Sequence, residues 1–545
     1  MSAVVVVGAG PAGTCVVERI CANARRFGQG HLVDLHVVDP YPPGAGRLWR
    51  RGVARADSPA GDLAVFPGET PSSAEWLGRA PGYFPTRSEV GGYLTYVFNR
   101  AVRDAPGDVR VRVHQDRAVS LTESAGTQRV ELATGGTLEA DVVVLAQGHP
   151  DVPPSPEDTV FAARHGLLHL TGGPALDADP DVVPPGEPVL VRGMGRALAD
   201  LLAPLTTGRG GRFAEGRRGE LVYLPGGDEP LLHVGSRRGV PHHARPGYRL
   251  ADTPPARRFP CERQGVTKEL AHAYYRELFT RHPSRTRTTW EEFEPAFVRA
   301  EWGGKELRAL VTASVPRFAD RLHLDRLERP LHGIRFGDPA GLQRWTHGYL
   351  AADLERRADP AFSADLALSH ALLAARTGLA GDPWLQGMVA LLADGPSLAR
   401  QAELRALARA GIVTFLGAEP RIERDDGGLW RATSPTVPGA TTARTLIEAR
   451  PPGARSSADP LIAGLYARGE CREVSGLLDV RLPDRRLVDP DGVAHERRFA
   501  LGSWTVGGLT GFDGPGGAQP LARQADALAR TVLAQVTGSW LHAAA

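Results

Sequence analysis

Gly8, Gly10 and Gly13, in the stretch AVVVVGAGPAG, have the spacing of a turn that holds a pyrophosphate. Gly8 permits a tight turn, Gly10 lets backbone approach phosphate, and Gly13 lets a helix pack closely on its strand. Pro11 and Ala12 lie inside the same turn, where free N–H groups and the helix dipole favour an anion. Asp39 ends the next predicted strand, DLHVVD, where a carboxylate can take ribose hydroxyls. Its separation from Gly13 exceeds the usual spacing, and the extra residues fit the loop FGQGHL. The alternative is a structural glycine turn without a ligand.

A second turn occurs in PVLVRGMGRALADLL. Gly193 and Gly195 are present, Leu198 stands at the third glycine position, and Arg192 and Arg196 flank the turn. Missing the third glycine fits a nucleotide with an extra phosphate, or no ligand. Downstream, Ser236, Arg237 and Arg238 end a predicted strand of the same unit. A hydroxyl and two guanidiniums there suit a 2′-phosphate, which favours NADPH over NADH. A solvated arginine pair is the competing reading. Two turns in one chain suggest one bound flavin dinucleotide and one nicotinamide dinucleotide that reduces it.

The elements that must position these turns can be read around them. Ala3 to Val7 is a β-branched run expected of a strand covered on both faces. A helix to about Arg26 follows. DVRVRVHQ, AVSLTES and RVELATG read as an antiparallel meander, and LEADVVVLAQGHP as a buried strand ending at Gly148. Residues 150–187 read as a connection, and 255–393 as mostly helical. QAELRALARAGIVTFLG is a helix stopped by Gly411 before a strand. RRFALGSW, a glycine-rich loop and a final helix end the chain. Disorder is expected, if anywhere, near 150–187 and 425–460. The predicted fold is α/β. Two Rossmann-like dinucleotide-binding domains, for FAD and NADPH, carry an antiparallel β-meander and a largely helical insertion. The expected domains are 1–180 (FAD), 181–255 (NADPH), 256–393 (helical insertion and substrate region) and 394–545 (the remainder, closing on FAD).

Composition excludes several classes. The 545 residues carry a net charge of +2, with Lys268 and Lys305 the only lysines, so no basic field recruits nucleic acid. Cys15, Cys21, Cys261 and Cys471 show neither a C-x-x-C pair nor zinc spacing, so no metal site is expected. A predicted strand directly after Met1, and no long apolar run, lead us to expect a cytoplasmic chain without leader or membrane span. A homo-oligomer is left open.

On GAGPAG, VVLAQGHP, the second glycine turn, GSRRGVPHHAR and the C-terminal glycine-rich segment, the chain resembles the actinobacterial FAD-NAD(P)-binding flavoproteins, relatives of the class B flavin monooxygenases. The resemblance spans most of the chain outside 255–393. It implies that Arg47, Leu48 and Trp49 run beside the flavin, with Trp49 equally readable as a core residue. It also implies that Gly148 and His149 return beneath the cofactor. Gly502 and the loop from Gly511 to Gln519 would close over it, with Pro520 near the start of the last helix. The best understood members are amino-acid N-monooxygenases, including aspartate N-oxygenases that make nitrosuccinate. The implied activity is FAD- and NADPH-dependent oxygenation of a primary amine, aspartate favoured, through a C4a-hydroperoxyflavin in a natural-product pathway. The products would be hydroxylamine, nitroso or nitro compounds. The Baeyer–Villiger signature is absent: FAARHGLLHL places Phe161, His165 and His169 at the wrong spacing. Such chemistry needs no side-chain nucleophile, and no catalytic residue is assigned. Arg245, Arg287 and Arg299 are candidate clamps for a dicarboxylate, each weighed against a solvated surface arginine. His242 and His243 read as a surface pair or as a pH-tuning element. The alternatives are a NAD(P)H-dependent reductase or oxidase without oxygen transfer, and a binding protein that kept the fold.

Overall fold

The computed structural model describes all residues except 28–29, 51, 149–153, 172–179, 251–258, 260–261, 377–381, 451–455, 483, 509–510 and 539–545. Two compact units emerge. The first joins Met1–Pro154, Thr171–Pro180 and Pro451–Ala545; the second joins Ser155–Leu170 and Asp181–Arg450.

In the first unit β1 (Ser2–Val7) lies between β2 (Val33–Val38) and β7 (Val142–Leu145), parallel to both. The strand β3 (Val109–His114) extends the sheet beyond β2. Beyond β7 come β21 (Ala494–Ala500), parallel, and β20 (Arg486–Val488), antiparallel at the edge. The unbroken valine run of β1 has a direct cause. Val4 and Val6 enter a core with α1 (Pro11–Phe27), α3 (Arg87–Arg103) and α15 (Gln519–Thr537). Val5 and Val7 enter a second core on the other face, with the meander β4 (Ala118–Ser124), β5 (Thr127–Leu132) and β6 (Thr137–Ala140) and with α14 (Pro460–Ala467). A strand buried on both faces cannot alternate. The short α2 (Ser73–Leu77) and the paired β18 (Glu473–Val474) and β19 (Leu477–Leu478) complete the unit.

A five-stranded parallel sheet organises the second unit. Its order is β13 (Val413–Ala418), β12 (Leu231–Ser236), β9 (Pro188–Arg192), β17 (Thr445–Glu448) and β8 (Leu168–Leu170). Beside it stand α4 (Pro156–His165), α5 (Arg196–Leu205), α13 (Leu398–Arg409), the hairpin β10 (Arg212–Glu215)–β11 (Leu221–Leu224) and the antiparallel β14 (Arg421–Arg424), β15 (Trp430–Ser434) and β16 (Val437–Ala443). The helical segment runs through α6 (Arg263–Arg281), α7 (Trp290–Arg299), α8 (Lys305–Ser314), α9 (Leu324–Glu328), α10 (Pro339–Ala358), α11 (Ser363–Ala375) and α12 (Pro383–Leu392). Its core is aromatic, with Tyr274, Tyr275, Phe279, Phe293 and Phe297 packed together.

Three expectations are corrected. DVRVRVHQ does not begin the meander; it forms β3, a parallel edge strand. An edge strand with one wetted face alternates just as an antiparallel one does, so the pattern alone misleads. The stretch 150–187 is more than a connection, because it holds α4 and β8. Residues 425–460 supply β15, β16 and β17, and β17 pairs with both β9 and β8.

Candidate functional site

The two glycine turns are wired alike. Gly8 donates its N–H to Val38 O at 2.8 Å, and Gly193 donates to Gly235 O at 2.7 Å. On the other side Ala146 donates to Val7 O at 2.7 Å, and Ala449 to Arg192 O at 2.8 Å. Each turn therefore caps a central parallel strand between two neighbours, at the point where helix-connected sheets bind nucleotides. Gly8 (φ +99°) and Gly193 (φ +126°) have no room for a side chain, since a β-carbon would strike Ala146 O or Ala449 O.

The second glycines differ. A β-carbon on Gly10 would meet only Gly46 Cα, at 3.7 Å. Protein packing does not demand glycine there, so the open space in front of Gly10 is what a pyrophosphate cradle requires. Gly46 (φ +55°) approaches from across, where its own β-carbon would fall 2.7 Å from Gly10 Cα. Gly13, by contrast, must be glycine because a β-carbon would overlap Gly8 O. The first turn of α1 carries no acidic side chain to compete for its free N–H groups.

Asp39 is buried and braces this turn. Its carboxylate accepts from Ala9 N at 2.6 Å and from Tyr41 N at 2.8 Å. Burial raises its pKa, against the lowering effect of those two N–H groups and Arg117. A carboxylate has about four acceptor sites, so two remain for further donors. Trp49 is a core residue, set edge-on to Phe512 at 6.5 Å and covered by the Arg87 guanidinium at 5.0 Å. Arg47 is half-buried, and Leu48 is 38% exposed. Gly148 adopts φ +81°, and His149 lies outside the described residues. Gly502 (φ +138°) turns against Trp504. The loop from Gly511 is held by Ser58 Oγ, which bonds Asp513 O at 2.9 Å and Gly514 O at 3.1 Å. Gln519 opens α15 and is exposed.

At the second turn the space in front of Gly195 is filled. A β-carbon there would sit 2.7 Å from His242 Cε1. His242 is pinned by its backbone, donating to Met194 O at 3.1 Å and accepting from Gln401 Nε2 at 3.0 Å. Among the described residues its Nδ1 has no partner. Burial, with Arg238, His243 and Arg196 nearby, lowers its pKa to about 4. The ring is thus neutral at pH 7, and able to offer one N–H.

His243 is also buried, which corrects the surface-pair reading. Its Nδ1 meets Asp353 Oδ1 at 2.5 Å, and Tyr349 Oη meets its Nε2 at 2.8 Å. Asp353 also takes Ala244 N at 2.8 Å and Arg357 Nε at 3.3 Å. This chain clamps the loop after β12 onto α10. Sequence reasoning missed it because Tyr349 and Asp353, four residues apart on one helix face, meet His243 only in the folded unit.

Register matches Val7 to Val38 and Arg192 to Gly235, so Ser236 holds the place that Asp39 holds in the first unit. No acid stands there. The Ser236 hydroxyl accepts from Gly239 N at 3.2 Å and reaches Val240 O at 3.4 Å, closing its own turn. Arg238 is half-buried and donates through Nε to Glu328 O at 3.0 Å; Arg237 is exposed. Of the suggested clamps, Arg245 is not a solvated arginine: it donates to Gly395 O at 2.9 Å and lies 3.7 Å from Asp394. Arg287 precedes α7 and Arg299 ends it, both exposed. The structure does not bring these three to a common partner among the described residues.

Thiol chemistry is poorly supported. Cys15, Cys21 and Cys471 are free and buried, and burial pushes Cys21 and Cys471 up to about 12. Cys261 lies outside the described residues. Among the described residues no group of three or more His, Cys, Asp or Glu could hold a metal ion. No helix among them is long and apolar enough to cross a membrane.

Two mainly parallel sheets, each with a glycine turn at the end of a central strand, define an α/β protein with two Rossmann-like units. A sequence profile described as FAD-NAD(P)-binding matches residues 5–150. Nitrosuccinic acid synthase npaA of Aspergillus oryzae is 36% identical, covering 92% of this chain and 88% of that one. L-aspartate N-monooxygenase (nitrosuccinate-forming) of Streptomyces davaonensis is 34% identical, covering 92% and 91%. The protein of the same description from Streptomyces cremeus is 36% identical, covering 92% and 89%. The chain belongs to this family of flavin-dependent N-monooxygenases.

Proposed function

We propose that the protein is an FAD- and NADPH-dependent monooxygenase acting on the primary amine of a small amino acid, L-aspartate first, in a biosynthetic pathway. The carrying observation is the identity of 34–36% over nine-tenths of the chain to three proteins named for nitrosuccinate formation. When bound, the flavin supplies oxygen activation and the nicotinamide coenzyme supplies two electrons.

The chain's own residues bind and orient. The open face of Gly10 and the free N–H groups of α1 hold the flavin pyrophosphate, and Asp39 takes ribose hydroxyls with its remaining lone pairs. Gly193 and the N-terminus of α5 hold the nicotinamide pyrophosphate, bordered by the neutral His242 ring. Ser236 stands where an acid would select a free 2′-hydroxyl, and Arg237 and Arg238 follow it, which favours NADPH. Arg245 is committed to Asp394 and Gly395, so the exposed Arg287 and Arg299 are the better remaining carboxylate clamps. An amine accepts oxygen only through its free lone pair, so substrate must react unprotonated and away from water.

The test is NADPH oxidation by the FAD-loaded protein across a panel of amino acids, with hydrogen peroxide measured in parallel. Aspartate should raise NADPH oxidation and lower the peroxide fraction. Equal rates for every amino acid, all electrons appearing as peroxide, would leave an oxidase.

A further inference from the structure

Arg485 stands directly before β20 and is buried, only 5% exposed. Its φ of +64° is left-handed, a conformation that a non-glycine residue adopts at a cost. The backbone fixes it there. Arg485 donates its N–H to Arg481 O at 2.8 Å, and its carbonyl accepts from Ala500 N at 2.9 Å. The guanidinium donates through Nη1 to Val506 O and through Nη2 to Gly507 O, each at 3.3 Å. Gln524, in the first two turns of α15, donates to the same Gly507 O at 3.4 Å.

Among the described residues no carboxylate forms an ion pair with Arg485. Asp484, its neighbour in the chain, is taken by Arg481 and Arg486. Asp513, in the glycine-rich loop, accepts from Asp57 N at 3.2 Å. Arg485 Nε is buried without a hydrogen bond among the described residues, and so is Gln524 Oε1. Burial alone lowers the Arg485 pKa, to about 10, which leaves the group charged at neutral pH. The first turn of α15 carries no acidic side chain, so its dipole adds positive potential. A buried cation that meets only carbonyls calls for a negative partner that these residues do not supply.

Strand order says which part of a dinucleotide could be that partner. The sheet runs β20, β21, β7, β1, β2. The bond from Ala500 N places Arg485 at the carboxyl end of β21, the same end at which Gly8 caps β1. Asp39, at the end of β2, takes the adenosine ribose of the proposed FAD. The flavin half then extends from Gly10 the opposite way, across the ends of β7 and β21 toward β20. Among the described residues no atom lies within 4 Å of a β-carbon built on Gly148, which follows β7, so that path is open.

We infer that Arg485 is the fixed positive charge that compensates the negative charge a bound flavin gains on reduction. The inference rests on the reading that the first turn holds FAD. A nicotinamide coenzyme gives up a hydride, two electrons with one proton, and is itself oxidised. An oxidised flavin that accepts the hydride gains one negative charge, with no further proton taken up or released. Arg485 holds that charge without a proton from water.

The experiment is a spectroelectrochemical titration of the full-length, FAD-loaded protein between pH 5 and pH 7. Wild type should lose about 30 mV of midpoint potential per pH unit, the slope for one proton per two electrons, and R485M nearer to about 59 mV, the slope for two. At pH 7 R485M should weaken reduced FAD about 10- to 100-fold more than oxidised FAD, a fall of about 30–60 mV. R485K, which keeps the charge, should stay near wild type. Methionine leaves no charge to bury, so R485M should fold. Should it release its flavin, dissociation constants for oxidised and reduced FAD report the same ratio. A wild-type slope of about 59 mV per unit would overturn the inference. So would an R485M that matches wild type in slope and ratio, since Arg485 would then only cap the loop. Wild-type potential in R485M with a raised KM for L-aspartate would assign the guanidinium to substrate instead. A wild type that retains no flavin would overturn the FAD reading, and the inference with it.

Discussion

The His242 imidazole lies over Gly195, leaving no room for even a methyl group at the second glycine turn. Nothing comparable covers Gly10 in the first. On the proposed reading the ring borders the place where a pyrophosphate would meet α5, and its unpartnered Nδ1, in the tautomer that carries a proton there, would donate to that phosphate. Because pyrophosphate is common to both coenzymes, His242→Ala should weaken NADPH and NADH alike, by roughly tenfold, the worth of about one hydrogen bond. Equilibrium titration of each coenzyme checks this. Tighter binding would show that the ring occupies the coenzyme's own place.

Acid should loosen the second unit through the same residue. The folded pKa of His242, about 4, lies below its ordinary 6.5. A depressed folded pKa gives stability that is present above the unfolded value and is lost as pH falls toward the folded one. The loss between pH 7 and pH 5 is about 2 kcal/mol by linkage. Urea unfolding at the two pH values should show this for wild type, and a visibly smaller difference for His242→Gln.

Gly10 and Gly13 should separate binding from folding. Gly10→Ala meets only Gly46 Cα at 3.7 Å, so the apoprotein should melt close to wild type while its flavin-to-protein absorbance ratio falls at least severalfold. Gly13→Ala drives a β-carbon into Gly8 O and should destabilise the apoprotein itself. Equal thermal destabilisation by the two would remove the ligand argument for Gly10.

A buried charge ties α1 to its surroundings. Arg19, 1% exposed, meets Glu18 at 2.5 Å, Glu69 at 2.9 Å and Asp526 of α15 at 3.7 Å. Arg19→Met strands Glu18 and should cost about 3–5 kcal/mol in denaturant unfolding. Adding Glu18→Leu should recover a good part of that loss.

The first turn was readable because strand, glycines and acid sit close in the chain, and each constraint is local. The second was half readable: Ser236 ends its strand and Arg237 and Arg238 follow directly, whereas His242 returns to Gly195 only through the fold. Leu198 replaced a glycine that helps identify the motif, yet backbone pairing around Gly193 matches that around Gly8 bond for bond. Proline, aspartate and glycine masked α4 and β8, and the alternation in VRVRVH concealed a parallel pairing, because side-chain pattern reports wetting and not strand direction.

The most direct test is to supply L-aspartate, NADPH and ¹⁸O₂ to the flavin-loaded protein and weigh the products by mass spectrometry. The account predicts ¹⁸O bonded to the substrate nitrogen, as hydroxylamine or a more oxidised species. Unchanged aspartate, with the electrons recovered entirely as labelled peroxide, would contradict it.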